Sequence, residues 1–134
     1  MLDATSPSSL VVAETSNRVD FSTVAYPIST IEQTGIEPIK GKADMGIWRI
    51  YSDWTDTYLK SRGIKYMRTE TGRYADYMSI KSVVESVGYD GCRALAASYW
   101  QDDRWSRFEK TISRFAHHAT AIYESLQRDR RNKE

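Results

Sequence analysis

Cysteine and histidine are nearly missing from this chain: Cys92 stands alone, and His117 and His118 are adjacent. A lone thiol excludes an internal disulfide and any cysteine-based zinc cluster, and it agrees with a reducing compartment. Neighbouring side chains on a helix point about 100° apart, so the two histidines cannot share one metal ion as residues one turn apart can. No Asp, Glu or Cys completes a ligand spacing around them, and they read as structural or surface residues with no metal or cofactor expected. Long apolar runs are also missing. The longest fall far short of the roughly 20 residues that cross a bilayer, so a soluble chain without membrane contact is expected. The opening MLDATSPSSLVVAETSN has neither a basic leader with a long apolar run nor an Arg-rich, acid-poor composition, which predicts a cytoplasmic protein, in the host cytoplasm if the chain is viral.

A strong charge of either sign is lacking as well. Residues 1–42 carry three basic and five acidic residues, a net −2, and the rest carries sixteen against thirteen, a net +3. Proteins that hold nucleic acid by bulk electrostatics are usually far more basic, so any such contact has to be local.

What is present changes character near Ala43. The first forty-odd residues are rich in Ser and Thr and have no helical periodicity; beyond them aromatic and aliphatic residues recur at helical spacing. The division predicted is an extended or flexible arm over 1–42, a helical bundle over 43–127 and a basic polar tail over 128–134. Within the arm, Val19, Phe21, Val24, Tyr26, Ile28, Ile31, Ile36 and Ile39 are interrupted by Pro27, Gly35 and Pro38, which disfavours a continuous helix. This stretch reads as extended chain that docks on the domain or on a partner, or else as a plain linker.

Asp44 is placed to cap a first helix running to about Ser61, in which Ile47, Ile50, Tyr51, Trp54 and Tyr58 form one stripe and Gly63 supplies the stop. A second helix is predicted from Tyr74 or Asp76 to Val87, ended by Gly88. Asp90 is expected to cap a third, reaching Trp100 and rich in small residues. Asp102-Asp103-Arg104-Trp105 reads as a turn or short helical piece. A last helix starts at Thr111 or Ser113, with Ile112, Phe115, Ala119, Ile122, Tyr123 and Leu126 inward, and frays beyond Leu126. The fold class predicted is all-α, a bundle of four to five helices behind an N-terminal arm.

No set of residues spells out catalysis. Asp53, Asp56, Asp76, Asp102 and Asp103 include no pair tied to acid–base work and read as solvated faces and caps. The stretch from Thr34-Gly35 to Gly41-Lys42 lacks the GxxxxGK[ST] pattern of a phosphate loop. Two basic clusters point more usefully, toward phosphates. Lys60, Arg62, Lys65, Arg68 and Arg73 surround Tyr66 with a single acid, Glu70; Arg128, Arg130, Arg131 and Lys133 occupy the tail. Such cations hold backbone phosphates, and an interleaved ring stacks on a base. Trp48 lies beside the main stripe of the first helix and reads as an exposed anchor for a protein partner, together with Phe21, Tyr26 and Ile28 of the arm.

The order of these signals resembles the small C-terminal helical domain of bacteriophage and prophage replication proteins, the replisome organisers and helicase-loader-like factors. The resemblance spans about residues 44–126 and rests on the aromatic first helix with Trp54, the loop Gly63-Ile64-Lys65-Tyr66-Met67-Arg68-Thr69, the Ala-rich helix ending Tyr99-Trp100, and Trp105 before Thr111-Ile112-Ser113-Arg114-Phe115. It implies a non-enzymatic adaptor in DNA replication that engages a replication protein such as a replicative helicase, or DNA. The N-terminal winged-helix domain of that family has no counterpart here, which weighs against sequence-specific origin binding. A different class of reading is a virion structural or assembly protein whose arm, Val19 to Ile39, clasps a neighbouring subunit, a homo-oligomer included.

Overall fold

A computed structural model describes residues 18–26 and 44–133. The fold is all-α, with helices α1 (Met45–Arg62), α2 (Glu70–Gln101), α3 (Ile112–His117) and α4 (Ala119–Lys133), and a 3-10 turn over Asp103–Trp105. No described residue lies in a strand, and no described helix is long and apolar enough to cross a membrane.

The ends of α1 follow from local chemistry. The Asp44 carboxylate accepts from the amides of Gly46 at 2.8 Å and Ile47 at 3.2 Å, and Gly63, at φ 77°, closes the helix with its amide on the Leu59 carbonyl. The second and third predicted helices are the two limbs of α2, parted at Gly88 where the sequence placed the stop. α2 begins at Glu70, ahead of the predicted Tyr74, because Thr69 caps it through a bond from the Gly72 amide. It bends at Gly88, whose φ of 84° and ψ of 173° suit a residue without a Cβ. Asp90 was expected as a cap; its carboxylate instead faces the Arg93 guanidinium at 3.4 Å on the exposed side. Tyrosines from both limbs lock the start of α1: the Tyr77 hydroxyl accepts from the Asp44 amide at 2.7 Å, and the Tyr89 hydroxyl donates to the Asp44 carboxylate at 2.6 Å.

The last helix differs from expectation in two ways. It breaks at His118, whose ring stacks on Phe108 with centroids 4.4 Å apart, and α4 continues to Lys133 instead of fraying past Leu126. The extension is tied down where Arg104 bridges Asp102 and Asp129, at 2.5 and 2.8 Å.

α2 is the central element, against which α1, α3 and α4 all pack. Its second limb buries Cys92, Ala94, Ala96 and Ala97, small side chains that let its neighbours approach closely. Trp54 is the hub of the interior. It is fully buried, within 5.2–6.1 Å of the rings of Phe115, Trp100, Tyr99 and Phe21, and its indole N–H donates to the Lys110 carbonyl at 2.9 Å. A large ring whose one polar atom is satisfied suits a small core well.

The described part of the arm, residues 18–26, lies on the domain as a strap. Phe21 is fully buried against Trp54 and its amide donates to Thr57 Oγ1 at 2.9 Å. Gln101 Nε2 donates to the carbonyls of Phe21 and Val24, and Arg18 donates to Asp56 at 3.2 Å and to Ser52.

Candidate nucleic-acid interface

The loop joining α1 to α2 is pinned from beneath. Tyr66 is buried; its hydroxyl donates to Asp76 Oδ2 at 3.1 Å and accepts from the Ile112 amide at 3.1 Å, tying the loop to α2 and to the start of α3. Arg68 holds both oxygens of the same carboxylate, at 3.0 and 3.3 Å. Burial pushes the Tyr66 hydroxyl up to about 12, so it stays a neutral donor at ordinary pH. Burial works to lower Arg68, but the Asp76 carboxylate outweighs it and the guanidinium is held above its usual range. With Gly63 in the left-handed region and Thr69 capping α2, both ends of the loop are fixed. What it presents outward is Ile64, Lys65 and Met67, the two apolar residues 57% and 78% exposed.

The sequence-predicted site residues therefore divide. Lys60, Arg62, Lys65 and Arg73 are exposed around the end of α1 and the start of α2, Lys60 lying 3.6 Å from Asp20 of the strap. Two members given outward roles are engaged inward: Tyr66 is buried and does not offer its ring for stacking, and Arg68, still partly exposed, is paired with Asp76. On α4, Arg128 and Arg131 are exposed, Arg130 is half-buried with a contact of its own, and Lys133 closes the helix.

The expected partner anchors move inward. Phe21 belongs to the core, Tyr26 is half-buried against it, and Trp48 is half-buried with its ring 5.4 Å from Tyr51 and 4.9 Å from Tyr77. Trp48 sits beside the stripe as predicted, but α2 covers that side. Ile28 lies outside the described residues.

Two acids read from sequence as solvated are buried. Asp76 anchors the loop, and Asp53 lies fully buried with neither carboxylate oxygen in hydrogen-bonding geometry. Burial pushes the Asp53 carboxyl above its usual range against the opposing pull of the Val19 amide and of Arg93, Arg49 and Arg18. Cys92 is also buried, with its thiol pushed up to about 12, which makes it inert at ordinary pH. Among the described residues no three His, Cys, Asp or Glu side chains gather as a metal-ligand set.

The residues that sequence reading missed surround Lys110. Its ammonium is buried, donating to the carbonyls of Tyr99 at 2.6 Å and Trp105 at 2.8 Å and lying 4.2 Å from the Tyr99 ring centroid. Burial, reinforced by Arg62, pushes it down to about 8. A lysine one residue before a helix cap carries no local signal of burial; only the chain's return past Tyr99 puts it there. No family model, curated protein or solved structure matches this chain.

Proposed function

We propose that the protein is a non-enzymatic adaptor or accessory factor of phage-type DNA replication, contacting nucleic acid and a replication protein through the loop 63–69 and the cations beside it. The observation that carries this reading is the pinned loop. Its base is fixed by Tyr66, Asp76 and Arg68, so the exposed Ile64, Lys65 and Met67 are held in place before any partner arrives. A contact surface ordered in advance avoids the entropy that a floppy loop loses on binding.

Lys60, Arg62, Lys65 and Arg73 would meet phosphates, with Arg128 and Arg131 of α4 as a second contact. The apolar Ile64 and Met67 would seat a protein partner, a replicative helicase being the one the sequence resemblance implies. The strap favours this reading over an arm that clasps a neighbour, because its anchor Phe21 is already spent on its own core.

The test is a salt titration of binding to single- and double-stranded DNA, comparing the wild type with K65Q/R73Q. Affinity should fall as salt rises, by about 0.7–0.9 in the logarithmic slope for each phosphate neutralised, and the double variant should flatten that slope by about twice this amount. Absence of binding at low salt, or a slope the variant leaves unchanged, refutes the phosphate contact.

A further inference from the structure

Arg62 at the end of α1 and Arg107 and Lys110 of the connection leading to α3 open onto one cleft of about 440 Å3, whose walls include Tyr58 and Phe108. Three cations from two segments meet here with one acid, Glu109, along the same wall. Among the described residues, none of the three cations has a carboxylate within 4.0 Å.

Buried charge is normally neutralised by a partner. Lys110 is only 5% exposed, and what surrounds its ammonium is two carbonyl dipoles and the rings of Tyr99 and Trp100, the latter centred 5.9 Å away. The C-terminal end of α1 offsets part of the Arg62 charge, by about half an elementary charge at most, while Lys110 is answered by neutral carbonyls and rings alone and neither it nor Arg107 meets a carboxylate among the described residues. The surplus is positive and local.

The remaining chemistry narrows the anion. Two guanidinium groups lining one cleft match the several oxygens of a phosphate better than a single carboxylate does. Ser106 and Thr111 add hydroxyls at the cleft, and Tyr58 and Phe108 add aromatic faces of the kind that hold a base. The volume lies within the usual range for small-molecule sites. We propose that this cleft is a nucleotide-binding site, in which Arg62 and Arg107 take the phosphate of a nucleoside monophosphate or of a strand end and the buried Lys110 ammonium adds its charge from behind. The site shares Arg62 with the surface proposed above but takes nothing from the loop 63–69, so a nucleotide can fill it even if the protein has no affinity for the interior of a DNA strand.

The experiment follows the indole N–H signals of uniformly labelled protein by NMR during titration with a nucleoside 5′-monophosphate, inorganic phosphate, and matched single strands bearing a 5′-phosphate or a 5′-hydroxyl. Trp100 is the reporter, since its ring lies 5.8 Å from the Arg62 guanidinium and its indole nitrogen has no hydrogen-bond partner among the described residues. The monophosphate should shift the Trp100 signal saturably and bind more tightly than inorganic phosphate. R62Q and R107Q, both changes at exposed side chains, should each weaken it about tenfold, as expected for one charge-assisted hydrogen bond. K81Q, on α2 and away from the cleft, should bind as the wild type does. Tighter binding of the 5′-phosphate strand than of its 5′-hydroxyl twin assigns the site to strand ends; equal binding of the two assigns it to free nucleotide. No saturable shift with the monophosphate or the phosphorylated strand, or unchanged affinity in both arginine variants, overturns the proposal.

Discussion

Among the described residues two carboxylates are sealed inside, and they are treated in opposite ways. Asp76 faces Arg68 and Tyr66, and all three join the loop 63–69 to α2. Asp53 lies beneath the strap with neither oxygen in full hydrogen-bonding geometry, the Val19 amide giving only a partial pull. The first arrangement turns a buried charge into a fixed geometry, because both of its oxygens are occupied and any movement of the loop breaks several bonds together. The second leaves a charge whose burial opposes the packing above it. The loop is thus held by polar complementarity. The strap is held by Phe21, by its amide's bond to Thr57 Oγ1 and by the bonds Gln101 donates to its carbonyls, which outweigh an unfavourable carboxylate below. Rigidity suits the surface proposed to meet a partner; tension lies under the segment that covers the core.

The broadest way to break the comparison is to remove what both sides share. Trp54→Ala empties the centre that α1, α2, α3 and the strap all pack around, and should cost about 3–5 kcal/mol, read as a lower midpoint in chemical denaturation. Asp76→Ala strips the loop of its anchor and leaves Arg68 unpaired. A loss of about 2–3 kcal/mol is expected, less than for a fully buried pair because Arg68 is partly exposed. Amide exchange at residues 64–67 should rise with it. If exchange stays slow there, the network does not fix the loop.

Asp53→Asn should act in the other direction, raising stability at neutral pH by about 1 kcal/mol, since an uncharged amide of the same shape is cheaper to bury than a carboxylate. The sign of its pH dependence follows from the raised carboxyl. The folded state keeps a proton that the unfolded chain gives up near 3.8, so this residue's favourable contribution is full below that value and is lost as pH rises through the higher folded value. Asp20 and Asp102, held below the usual range, work oppositely at the acid end, Asp20 because its bonds from Ser22 and the charge of Lys60 outweigh burial, Asp102 chiefly through Arg104. The difference between wild type and Asp53→Asn should therefore widen with rising pH; a constant difference would show that Asp53 does not titrate with folding. The smallest effect belongs to Gly63→Ala. A Cβ there meets no atom within 4 Å, so only the positive φ opposes it, at about 1 kcal/mol.

Much of the fold was legible because its signals are local. Asp44, Gly63 and Thr111 act within one turn of themselves, and the stripe of Ile47, Ile50 and Trp54 needs only helical periodicity. The basic residues Lys60, Lys65 and Arg73 were readable as exposed because nothing in their segments demanded otherwise. The errors have one cause. Tyr66, Arg68 and Trp48 have polar or amphipathic side chains whose fate depends on what lies opposite, and Asp76 and Tyr77 are brought opposite them only by the path of α2. Phe21 sits in a segment without periodicity, so its place in the core was invisible until the strap closed over Thr57.

The amino-acid order by itself determined an all-α chain, most of its caps and stops, and where its cations are concentrated, because these depend on residues within a few positions of one another. The tertiary structure alone decided which charges are sealed in and whether they are answered: Asp76 by Arg68, Asp53 by no hydrogen bond, Lys110 by two carbonyls and two rings. The reason is physical. The energy of a buried charge depends on partners that are distant along the chain and near only in space, and no local pattern records them.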